Sequence, residues 1–374
     1  MSSSEKIDKI EKIALRFKRP RFIGKNARKG DHGDTVIDPL VRIHTSDGAV
    51  GVGWSRINEA EAKEIVGQSM DTLFKSGRGS TSFGLPIDLA LWDLSARREG
   101  LPLHKHLGGK GSKEVELYDG SIYIDDLGKT DPEAVEIFKE EVATGHAFGY
   151  GNFKIKIGRG ARWMGVQEGT DRDVLVIETV RESAPDAKIM IDANNGTTLN
   201  IALQILERTR DVGIFWFEEP FPEDPNFNEA LKAFITEKGY DTLVADGESG
   251  PPPPSYFDMV EKGWIDIVQH DFRGKGLTWW KETADRIAPW GAQCAPHCWG
   301  SLIERYTHAH FVASIPNFLM LEAAPAEMPG VVLDGWEQRD GHLIVPDTPG
   351  IGFDIEPDVL KNGIAAKDGF VATA

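Results

Sequence analysis

Six acidic or imidazole side chains stand where apolar runs of this sequence end. Asp192 closes KIMID, Glu218 closes IFWFE, Glu248 closes TLVADGE, Asp271 closes IDIVQHD, His297 closes AQCAPH and Glu322 closes FLMLE. At Asp192, with Asn194, Asn195 and Gly196 behind it, a turn accounts for the local residues, because Asp and Asn bond their own backbone and Gly takes a positive φ. A turn leaves the other five ends unexplained. The steps between the six are 26, 30, 23, 26 and 25 residues, each about one strand plus one crossover helix. That spacing puts all six at one end of a parallel barrel, where residues distant in sequence ring a single site.

Three of the ends, Asp192, Glu218 and Glu248, are carboxylates on successive strands. Ionised together in a partly buried mouth they repel one another, so a cation belongs between them. Three hard oxygen donors without cysteine or histidine suit Mg²⁺. Glu219 adjoins Glu218, and strand alternation sends the two to opposite sides. Lys154 and Lys156, two apart in KIKIG, share one strand face. If that face points inward, a second lysine and a divalent cation would lower the amine's pKa and make it a base near neutral pH. Asp271 and His297 end neighbouring strands, an arrangement in which a carboxylate orients an imidazole. Lys156 and His297 would then face each other across the metal, and Glu322, if protonated, would donate a hydrogen bond to a developing enolate.

Eight strand candidates follow residue 120: GSIYID, NFKIKIG, KIMIDAN, IFWFEEP, TLVADGE, IDIVQHD, AQCAPHC and FLMLEAA. Helical spacing fills gaps between them, at Ala134, Ile137, Phe138 and Val142, and at Leu199, Ala202, Leu203 and Leu206. Eight alternating units predict a barrel. Before it, VIDPLVRIHT and AVGVGWSRI flank Ser46-Asp47-Gly48 as a hairpin, and IDLALWDLSARREG has helical spacing, which predicts a small α+β lobe. The stretch PRFIGKNARKGDHGDT, with Arg19 just upstream and Arg21, Lys25, Arg28, Lys29 and His32 inside, reads as a mobile cationic loop suited to a polar, polyhydroxylated acid.

The chain has 374 residues, two cysteines and a formal net charge of −17. That charge argues against nucleic acid and anionic membranes as partners. With no apolar run of spanning length and no signal-peptide core, the expectation is a cytoplasmic protein. Cys294, His297 and Cys298 in CAPHC lack a fourth zinc ligand. GRGARWMG lacks the Lys-Ser/Thr ending of a phosphate loop. Pro251 to Pro254 read as a rigid connector, and of His308 and His310 one is expected exposed and one packed.

The ordered set KIKIG, IDANNG, WFEEP, DGE, VQHD, APH and LEAAP, with IDLALWDLSARREGLPLHKHLGG upstream and PDTPGIGF near the end, resembles the enolase superfamily and its mandelate racemase subgroup over nearly the whole chain. The resemblance implies an α/β fold, a modified TIM-type (β/α)7β barrel with an α+β capping domain: capping domain 1–120, barrel 121–330, and a C-terminal segment 331–374 returning to the cap. It implies Asp192, Glu218 and Glu248 as Mg²⁺ ligands, with Glu218 preferred over Glu219. Lys156 becomes the base with Lys154 its partner, Asp271 and His297 the second dyad, Glu322 the enolate stabiliser, and Asn194 a substrate contact. DFRGKGLT is one residue shorter than the family's segment after the dyad aspartate, and RGARWMGVQEGT stretches the step from Lys156 to Asp192 to 36 residues.

The implied activity is a Mg²⁺-dependent sugar-acid dehydratase, a hydro-lyase that removes the proton α to a carboxylate and expels the β-hydroxyl to give a 2-keto-3-deoxy acid. The same pair would serve a racemase or epimerase, and a non-catalytic sugar-acid scaffold is a third possibility. The partner is a small-molecule carboxylate, with a homo-oligomer expected.

Overall fold

The computed structural model describes residues 5–374. Seven parallel strands run in order Glu114–Ile122, Phe153–Lys156, Ile189–Asp192, Trp216–Glu218, Leu243–Asp246, Ile267–Val268 and Gln293–Cys294. The eighth, Leu321–Ala323, pairs back in parallel with Glu114–Ile122, and Cys294 bridges Phe318 just before it, which brings the ends of the ring together. The seven intervening segments carry the helices Asp131–Ala147, Val166–Ser183, Leu199–Arg208, Pro225–Lys238, Tyr256–Glu261, Gly276–Ile287 and Glu304–Val312. This is a TIM-type barrel.

Seven apolar residues, Tyr118, Met190, Trp216, Ala245, Ile267, Ala295 and Met320, pack into one cluster. They come from seven of the eight strands or their flanks and plug the barrel as a solid core. The remaining strand, Phe153–Lys156, supplies Lys154, fully buried with its ammonium 5.4 Å from the centre of the Tyr118 ring. A charged group at plug level is costly unless paired. Its partners therefore define what sits above the plug.

The cap is an antiparallel sheet of Ile7–Ile23, Gly33–Thr45 and Val50–Trp54, with Phe370–Thr373 added at its edge and the helix Asp88–Arg98 packed on it. The strand Ile7–Ile23 takes in the start of the stretch read as a loop, and Gly33–Thr45 takes in its end, so the loop shrinks to residues 24–32. Two buried cap aspartates dock the cap onto the barrel. Asp38 accepts Ser301 Oγ and Leu302 N, both at 2.6 Å, and Ile303 N at 3.0 Å, ahead of the Glu304–Val312 helix. Asp88 accepts Leu277 N at 2.5 Å and Thr278 Oγ1 at 3.1 Å in the first turn of Gly276–Ile287. Carboxylates there satisfy free N–H groups and oppose the positive helix end. Among the described residues no helix is long and apolar enough to cross a membrane.

Candidate active site

All six strand-end residues gather at the C-terminal mouth, though not all on strands. Asp192 and Glu218 are the last residues of theirs and Glu322 lies within its strand, while Glu248, Asp271 and His297 stand two to three residues beyond theirs. Oxygens of Asp192, Glu218 and Glu248 lie within 4.8 Å of one another. Glu218 is fixed by three donors: Lys154 Nζ at 2.6 Å, Trp216 Nε1 at 3.1 Å and Gln269 Nε2 at 3.0 Å. Glu219 turns away, as alternation requires, into a left-handed φ of 41°. There it accepts Ser249 N at 2.8 Å and the Asn194 and Asn195 amides at 3.4 Å each.

Asn194 is held by two acids, Asp192 and Glu219. Its φ is 43°, its N–H donates to Asp192 Oδ1 at 2.8 Å, and its side-chain amide donates to Glu219. Its Oδ1 is buried and unpartnered.

Lys154 is surrounded by acid, with Glu322 at 3.0 Å and Asp192 at 3.5 Å besides Glu218. Lys156 is hydrogen-bonded to Asp192, with its ammonium 5.3 Å from the centre of the Tyr123 ring. Burial pulls Lys156 down, but Asp192, Tyr123 and Glu248 together outweigh it and the net shift is upward. Lys154 behaves the same way, with Glu218 and Glu322 as the main opposing charges. Glu322 shifts downward. Burial raises it, but Lys154 and His297 win and hold it at about 2. Glu218 is driven the other way, up to about 8, by burial and by Asp192. One carboxylate too many shares the cluster.

His297 Nδ1 and Asp271 Oδ1 are 2.7 Å apart, and His297 Nε2 faces Glu248 at 3.3 Å and Glu322 at 3.7 Å. Burial pulls the imidazole down, but Glu248, Asp271 and Glu322 together lift it to about 10. His297 thus carries a proton here. The donor set of Asp192, Glu218 and Glu248 fits a hard divalent cation: it holds only carboxylate oxygens, is crowded enough to push Glu218 up to about 8, and leaves Glu248 Oε2 buried without a partner.

A cavity of about 810 Å³ opens over these groups, reached by Lys156, Glu248, Asp271 and His297 from the barrel. The cap and the barrel's own loops close the other side with residues that strand-end reasoning did not find. Tyr123 and Trp299 stack at 4.6 Å, the Arg19 guanidinium lies 4.5 Å from the Trp299 ring, and Arg56 and Arg273 lie 5.3 and 5.1 Å from the Trp54 ring. Of the six cations read as one group, Arg19, Arg28, Lys29 and His32 line the cavity. Arg21 instead pairs with Asp125 and Glu141, and Lys25 with Asp31. His308 and His310 are both buried, against the expectation that one is exposed.

The enolase C-terminal domain-like family profile matches residues 138–359. D-galactarolactone cycloisomerase of Agrobacterium fabrum is 30% identical over 86% of this chain and 89% of its own. Arabinonate dehydratase of Saccharolobus solfataricus is 26% identical over 85% and 88%. Galacturonate dehydratase from a Geobacillus species, solved with D-galacturonate and 5-keto-4-deoxy-D-galacturonate, superposes with a TM-score of 0.92 at 33% identity, covering 100% of both chains. A mutant of that enzyme, solved with Mg, gives 0.93 at 32% identity over 100% of this chain and 98% of the other.

Proposed function

From the premise that this chain belongs to the enolase superfamily, in its mandelate racemase subgroup, we propose that it is a Mg²⁺-dependent dehydratase of a sugar acid, with a uronate as the first substrate to test. The observation that carries this reading is two proton carriers in one cavity, Lys156 beside Asp192 and His297 beside Asp271, next to a three-carboxylate cation site. Full-length likeness to a galacturonate dehydratase supports the substrate class.

Asp192, Glu218 and Glu248 would hold the metal, which supplies positive charge to the substrate carboxylate as negative charge develops there. Lys156 is the candidate base for the α-proton. Its raised pKa depends on Asp192, so engagement of Asp192 elsewhere leaves burial, which favours the neutral amine. His297, held protonated, delivers a proton to the β-hydroxyl as the C–O bond breaks, so that water leaves. The resulting enol tautomerises to a keto acid, oxo group next to the carboxylate and the deoxy carbon beyond it. For a substrate of the opposite α-configuration the roles exchange: His297, once deprotonated, takes the α-proton and Lys156, as the ammonium, protonates the leaving hydroxyl. Lys154 and Glu322 hold each other and the plug in register, Asp271 orients His297, and Asn194 reaches substrate through its free carbonyl oxygen.

A racemase or epimerase would use the same pair without a leaving group, and the cycloisomerase relative is a reason to keep this second reading in view. A screen of uronates, aldonates and aldarates with Mg²⁺ in D₂O separates them. Keto-acid product carrying deuterium at its deoxy carbon supports dehydration. Exchange without keto product supports racemisation, and Mg²⁺-dependent binding with neither signal supports a scaffold. A cytoplasmic homo-oligomer belongs to the same reading, in keeping with the two unpaired cysteines.

A further inference from the structure

The long step between Lys156 and Asp192 contains an excursion that no strand or barrel helix requires. After Lys156 the chain forms a 3-10 turn at Arg159–Ala161 and reaches Trp163 before the helix Val166–Ser183 begins. Its base is rigid: Arg159 is fully buried, bonded to Asp126 and Asp173, and its carbonyl accepts Trp163 N at 3.0 Å and Met164 N at 3.1 Å. Its tip meets the cap loop 24–32. Trp163 Nε1 donates to Asn26 O at 2.8 Å, and Arg162 Nη1 donates to Arg28 O at 2.7 Å, so the two bonds grip the loop on either side of Ala27.

Ala27 itself is buried against two glycines. A Cβ on Gly196 would stand 2.4 Å from the Ala27 Cβ, and one on Gly158 would stand 2.9 Å from it. Those glycines follow the strands that carry Lys156 and Asp192. The loop is also braced internally, because Asn26 Oδ1 accepts Arg28 N at 2.9 Å and Lys29 N at 2.6 Å. Asn26, Arg28, Lys29 and His32 line the cavity from this loop.

We propose that residues 158–165 are a seat on the barrel that holds the cationic cap loop closed over the cavity, with Trp163 and Arg162 as positioning residues for substrate capture. The proposal rests on the reading of this cavity as the active site. Closure by such a loop excludes water and completes the binding surface. Here the backbone carbonyls flanking Ala27 are gripped by side chains of the barrel. Removing one grip shifts the open-to-closed ratio by about fivefold.

Trp163→Phe keeps the ring and deletes only the donor. The decisive readout needs no substrate: amide hydrogen exchange at residues 25–29 is expected to quicken about fivefold, while Phe153–Lys156 and Ile189–Asp192 are unchanged. With D-galacturonate as probe, KM is expected to rise about fivefold with kcat held within about twofold, and Arg162→Ala should do the same. Unchanged exchange at 25–29, or a fall in kcat at constant KM, overturns the seat. A wild-type chain inert toward D-galacturonate overturns the uronate reading instead, and the exchange comparison still decides this one.

Discussion

Two buried charge clusters lie side by side on this barrel, and they are built on opposite principles. Around Arg159 the charges are matched. Its guanidinium meets Asp126 at 2.8 Å and Asp173 at 2.7 Å, and Arg172 meets Asp126 and Asp131 at 2.8 Å each. Around Asp192 they are not. Glu218 is pushed to about 8 while Glu322 is held at about 2, and Glu248 Oε2 and Asn194 Oδ1 are buried without partners. A cluster that closes on itself only holds the chain. One that leaves acceptors free and carboxylates crowded has kept its binding capacity for something absent from the sequence.

The sharpest way to break this contrast is at the two proton carriers. Lys156→Ala and His297→Asn should each lower kcat by about 10⁴-fold, the upper end for losing an acid or base, while Mg²⁺ still binds. Lys156→Ala should even bind it more tightly, because Asp192 loses its competing ammonium. Loss of metal in either variant, followed by equilibrium dialysis, would contradict the assigned roles.

The matched cluster should respond in stability. Arg159→Met leaves Asp173 without its guanidinium and halves the compensation of Asp126, which breaks a buried pair at a cost of about 3–5 kcal/mol. Urea unfolding measures it, with kcat of the folded fraction expected within about threefold of wild type. A cost under about 1 kcal/mol would mean that this cluster is not self-satisfied either.

How much of this was legible in the sequence divides along the same line. The eight strands and the convergence of Asp192, Glu218, Glu248, Asp271, His297 and Glu322 were readable, because apolar runs ending in acid at a fixed step leave a periodic trace. Protonation was not. Lys156 and Glu322 each lie against a charge from another strand, a distance that no local pattern encodes. The strand Ile7–Ile23 was hidden by a register shift between Ile7 and Lys9 and by cations on its outer face. Tyr123, Trp299 and Arg273 sit in loops without period, and only the closing cap gives them a common purpose. The excursion at 159–165 was visible as extra length, but its use depends on carbonyls of Asn26 and Arg28 that are adjacent only in three dimensions.

Mg²⁺ itself gives the mildest and most specific test of the comparison. A ligand that binds the folded chain alone stabilises it by about 2.7 kcal/mol at a hundredfold excess over its Kd. The expected gain appears in wild type as a higher Tm. It should persist in Arg159→Met, where the added stability starts from a lower baseline, because that cluster has no carboxylate to spare. It should vanish in Asp192→Asn, which removes one of the three carboxylates and also relieves the repulsion that raises Glu218. Without metal, Asp192→Asn is therefore expected to cost less stability than Arg159→Met, although Asp192 is equally buried. If instead Mg²⁺ stabilises Asp192→Asn as much as wild type, the cation binds elsewhere, and the crowding around Glu218 has a structural cause.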